Sequence, residues 1–169
     1  MRLALVELLA LRLHNALAAG PGRPLSTRER QLARAVFGGA LDLDPVRIVE
    51  TRAIHAPTVL GNTIRMEPGM AMDARTLIHE LTHVWQYQTR GGAYISDSLW
   101  HQGRAWWQTG SRNAAYQVTL ATGRSIFDYT AEQQAVIVED AFADPEGFGS
   151  DPDVVRMMDE VRSSHVVRD

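Results

Sequence analysis

The sequence predicts a mainly α-helical, α+β domain, with a small β-hairpin or sheet packed beside one central helix. Three observations predict it. Between residues 76 and 88, Leu77, Leu81, Val84, Trp85 and Gln88 gather on the far side of a helix from His79, with Ile78 flanking them. Two capping-box patterns, Ser26 with Glu29 and Thr130 with Gln133, mark helix starts on either side of that stretch. Only two short segments, residues 46–50 and 63–66, carry the alternating, β-branched character of strands.

The 169 residues are read as one domain, 1–169, long enough for a real core. Residues 1–19 form an amphipathic helix rich in leucine and alanine, ended by Gly20-Pro21-Gly22. Glu7 and Arg12 interrupt its apolar run, and no stretch approaches the ~20 apolar residues of a membrane span. It is therefore read as a packing helix, not a signal sequence. The Ser26 helix runs to about Phe37, with Leu32, Ala33, Val36 and Phe37 inward, and Gly38-Gly39 stops it. The second strand is entered through Gly61-Asn62 and closed by Pro68-Gly69. Asp73 caps the central helix, which ends near Gly91-Gly92.

Residues 93–128 are less regular. Trp100, Trp106 and Trp107, close to His101 and Arg104, are read as buried core aromatics, with the wall of a substrate pocket as the alternative. Residues 114–120 are read as helical and Gly123 as a break. The Thr130 helix ends at Asp144-Pro145, and Ala135, Val136, Glu139 and Ala143 share the face of Glu132. A loop over 146–152 leads to a last helix through Val161. No repeat, low-complexity tract or linker is evident.

Composition narrows the chemistry. A net charge of −3 with no basic run leaves no electrostatic footprint for nucleic acid. All 17 basic residues are arginine, so a lysine nucleophile is excluded. The chain has no cysteine, which excludes disulfides, thiolate metal sites and cysteine nucleophiles. Any metal must be held by imidazole and carboxylate, a donor set suited to a catalytic site.

The central helix carries such donors. In His79-Glu80-Leu81-Thr82-His83 the two histidines, four apart, project from one face and can share a metal ion. Glu80 sits about 100° round the helix. There it can act as general base and acid, taking a proton from an activated water and passing it to a leaving amine. Zinc is the expected ion. A catalytic zinc needs one more protein ligand. Glu132, Glu139, His55, His101 and several aspartates are candidates, and no His-x-x-Gly-x-x-His extension follows the motif. Glu132 is preferred because it opens a helix on a small-residue face, with Glu139 next. Tyr87, Tyr116, Tyr129 or His101 would stabilise an oxyanion, and Asp140 would orient His79 or His83. An edge strand beside the helix would hold an extended peptide.

His79-Glu80-Leu81-Thr82-His83, with the downstream Glu132-Gln133-Gln134-Ala135, resembles the gluzincin class of zinc metallopeptidases. More narrowly, three segments resemble small bacterial Vgr-related or Rhs-associated metallopeptidases. They are residues 25–49 (with Ala35-Val36-Phe37-Gly38 and Asp44-Pro45-Val46-Arg47-Ile48), 78–88 and 129–142. Val136 is a departure, since an aspartate often follows the alanine of Glu-x-x-Ala. The resemblance implies a minimal gluzincin-like fold, a zinc ion on His79, His83 and Glu132, and peptide-bond hydrolysis in a protein or peptide substrate. It also implies a link to a type VI or similar contractile secretion apparatus, as effector or accessory factor. The location would be cytoplasmic, or outside by export through a signal-independent system. Two alternatives stand beside this expectation: a zinc-stabilised binding or accessory module without turnover, and a metal-dependent amidase acting on a non-protein substrate. Glu80 favours an enzyme, because a structural site has no use for a general base.

Overall fold

A computed structural model describes residues 22–52, 56–91 and 119–166. Within them lie four α-helices and a four-stranded sheet, so the mainly helical α+β expectation holds. The helices are α1 (Thr27–Phe37), α2 (Ala74–Arg90), α3 (Ala131–Ala143) and α4 (Pro152–Ser163). The strands are β1 (Arg23–Pro24), β2 (Arg47–Glu50), β3 (Thr58–Leu60) and β4 (Thr63–Met66). No helix among the described residues is long and apolar enough to cross a membrane. The expected helix over 1–19 and residues 114–118 of the one expected over 114–120 lie outside the described residues, as do Trp100, Trp106 and Trp107, while Thr119 and Leu120 are not helical.

Each helix starts where a side chain satisfies its free N–H groups. Ser26 and Glu29 form the predicted capping box of α1, and Thr130 and Gln133 that of α3. Asp73 accepts from the Thr76 N–H at 2.8 Å to open α2. Gly91 closes that helix at φ 70°, a backbone conformation that side chains with a Cβ disfavour.

The sheet runs β1-β2-β4-β3. The β3–β4 pair is an antiparallel hairpin turning at Gly61, whereas β2 and β4 run parallel, with Ile48 beside Ile64. Ile48, Ile64 and Met66 are buried in one core with Phe37, Leu77, Leu81, Trp85, Ile137 and Met157. Gln88 fastens α2 to the sheet: its amide pairs with the Asp42 main chain in both directions at 2.8 Å and donates to Asn62 Oδ1 at 2.8 Å. The helix face read as apolar thus ends in a polar clamp.

Glu29 also joins β1 to α1. Its carboxylate receives two 2.8 Å hydrogen bonds from the Arg23 guanidinium and one from the Ser26 N–H. Arg23 foremost, against partial burial, lowers the Glu29 pKa to about 2. A depressed carboxylate pKa adds stability above the unfolded-state value of about 4.3 and loses it as pH falls through the folded value. Arg23 is half exposed, which screens the pair. Glu29→Gln is therefore expected to cost about 1 kcal/mol at pH 7. Urea titrations of the two proteins should converge as the pH approaches 2.

Candidate metal centre

The site forms where α2 packs along α3. Position i to i+4 on α2 sets the rings of His79 and His83 edge to face, with centroids 5.0 Å apart. Glu132, in the first turn of α3, reaches between them. Its Oε2 lies 3.5 Å from His79 Nε2 and its Oε1 lies 3.5 Å from His83 Nε2. His79, His83 and Glu132 offer one ligand atom each, all within 4.8 Å of one another. The three residues singled out from the sequence therefore meet, although Glu132 is far from the histidines along the chain.

The opposite ring nitrogens are also engaged. His79 Nδ1 lies 3.0 Å from Glu139 Oε2, and His83 Nδ1 lies 2.9 Å from Gln86 Oε1. A carboxylate only accepts, so His79 donates from Nδ1. Its Nε2 is then the nitrogen that faces Glu132. Arg75 holds Glu139 in place from behind, donating to its Oε1 at 3.0 Å and to Asp140 Oδ1 at 2.7 Å.

Electrostatics follow from this crowding. Burial alone disfavours a charged His79, but hydrogen bonds to Glu132 and Glu139, together with the charges of Glu80 and Glu132, raise its pKa to about 10. His83 is shifted in the same direction against its burial, by Glu132 and then Glu80. The hydrogen bond from His79 keeps Glu139 below the usual carboxylate range despite its burial. Positive charge is thus strongly stabilised between the histidines and the acids. Glu80 is itself buried, at 7% exposure.

Several expectations need correction. Glu139 approaches His79 from the Nδ1 side, away from Glu132, so it orients the ring and is not part of the convergent trio. Asp140 pairs with Arg75 and orients neither histidine; Glu139 and Gln86 do so. The Tyr129 hydroxyl is taken up by the Ala121 N–H at 3.1 Å, with the Arg124 guanidinium over its ring. Tyr87 packs its ring against the Gly61 turn. His55, His101 and Tyr116 lie outside the described residues. Arg75 and Gln86 went unread in the sequence. Gln86 does lie three residues after His83, on the same helix face, which was the available signal.

The fold and site define a mainly helical α+β domain with a buried His-His-Glu cluster at a helix–helix contact. No family model matches the chain. Over a 146-residue alignment that covers 78% of the chain, it is 30% identical to the type VI secretion system spike protein VgrG2b of Pseudomonas aeruginosa. It spans only 14% of the length of that protein. The solved effector domain of P. aeruginosa VgrG2b is similar throughout, with a TM-score of 0.64, 26% identity and 96% of each chain covered. These similarities link the chain to the Vgr-related type VI proteins.

Proposed function

We propose that the chain is a zinc-dependent metallopeptidase domain, with His79, His83 and Glu132 as ligands and Glu80 as general base. The convergence of two imidazole Nε2 atoms and one carboxylate oxygen within 4.8 Å carries this reading. In their neutral form the two imidazoles would present lone pairs, with the carboxylate, to a common point, where a bound cation would take the place of protons. The set is also that of catalytic zinc sites with two histidines and a glutamate. A zinc ion held there supplies Lewis acidity towards a carbonyl and acidifies water.

The chain's own residues supply the rest. Glu80, next to His79 and buried, takes the proton of the attacking water and returns it to the leaving nitrogen. Glu139 and Gln86 keep the two rings from rotating. The likeness to the VgrG2b effector domain supports a role in type VI secretion, as an effector domain delivered by the apparatus through a signal-independent route. The substrate is then a protein or peptide. A non-protein amide is the competing substrate class, separated by assaying protein and cell-wall substrates side by side.

Elemental analysis tests the site directly. Wild-type protein is expected to hold about one zinc per chain, and Glu132→Ala far less, because two histidines alone leave the ion short of the usual three protein ligands. No metal in the wild type after zinc is supplied would overturn the proposal. Full retention in the variant would remove Glu132 from the ligand set.

A further inference from the structure

Two buried amides join the motif helix to the start of the helix that carries Glu132. Gln86 on α2 and Gln134 on α3 both have no solvent exposure. Amide oxygen and nitrogen are told apart by their partners, and here the far end of the chain of bonds decides. The Tyr129 main-chain carbonyl can only accept, so Gln134 presents its NH2 there, at 2.8 Å, and turns its Oε1 towards Gln86. The Ala131 carbonyl likewise only accepts. Gln86 therefore aims its NH2 at Ala131 O and Gln134 Oε1, both at 2.9 Å. Its Oε1 is left facing His83 Nδ1 at 2.9 Å. An amide oxygen carries no proton, so the hydrogen in that contact belongs to Nδ1.

We propose that the Gln86–Gln134 amide pair presets His83 with Nδ1 protonated, which leaves Nε2 as the atom that faces Glu132. Gln86 is thus a positioning residue, and its orientation is dictated by two main-chain carbonyls at the opening of α3. The same bonds hold α2 and α3 in register, so the tautomer of one ligand and the placement of another are set together. A merely cohesive pair of glutamines would account for the burial but would not require either amide orientation. The consequence for metal affinity rests on the zinc reading proposed above, whereas the protonation of Nδ1 does not.

Two-bond proton–nitrogen correlation spectra of the histidine rings, with and without added zinc, test it. Nδ1 of His83 is expected to be protonated in both spectra. A bare Nδ1 in the wild-type protein overturns the proposal whether or not zinc binds. Protonated Nδ1 beside a bare Nε2 in a protein that takes up no zinc upholds the proposal and removes the metal reading instead. Gln86→Met, close in volume but without the amide, is expected to weaken zinc binding about 10- to 100-fold. Gln86→Glu, which keeps an oxygen against Nδ1, should retain more affinity than Gln86→Met. A folded Gln86→Met protein with wild-type zinc affinity overturns the positioning role. Should that variant not fold, the wild-type spectra decide.

Discussion

Glu80→Gln is expected to keep zinc at the wild-type stoichiometry and to lose between about 100-fold and 10,000-fold in turnover. The substitution preserves the size of a buried side chain (7% exposed) and removes the only property that matters for proton transfer. Its effect should fall on kcat and kcat/KM together, because the interaction is made in the transition state. The charge of Glu80 also acts on both histidines, so some change in metal affinity is expected, smaller than the change in rate. Peptidase activity within tenfold of wild type would show that another group carries the proton. A biological effect unchanged in this variant would place the function in binding and not in hydrolysis.

The largest expected loss of stability is for Trp85→Ala. Trp85 is fully buried on α2, its indole N–H donates to Ser164 Oγ at 2.7 Å, and its ring stacks on Phe127 with centroids 5.9 Å apart. It therefore ties the motif helix to the end of α4 and to the turn before α3. Truncation removes that area from the core, leaves a cavity and strips a partner from Ser164. The cost should be about 3–5 kcal/mol, with a fall in Tm of about 10 °C for a domain of this size. Trp85→Phe should recover most of it. Thermal unfolding of the three proteins measures the difference, and a Tm within about 2 °C of wild type for Trp85→Ala would contradict the packing described.

Local signals were legible in the sequence and relational ones were not. Capping boxes at Ser26 and Thr130, the Asp73 cap and the strand at 63–66 depend on neighbours within a few residues, and each is found where expected. The strands β1 and β3, two and three residues long, are too short for a period to register. The parallel pairing of β2 with β4 depends on distant partners. Within the site, His79, Glu80 and His83 could be read from spacing alone. Glu132 and Glu139 share a helix face, so the sequence could rank them but could not divide their tasks. That division depends on which ring nitrogen each carboxylate reaches. The Gln86–Gln134 contact lies beyond sequence reading altogether, since it joins residues 48 apart that look like ordinary polar positions.

The direct seam between α2 and α3 also fixes the cluster by bonds between two segments far apart in the chain. Gln86 meets Ala131 across 45 residues of sequence, and the bonds at that seam do not depend on how long the connection is. Separating the two helices would therefore dismantle the cluster as well.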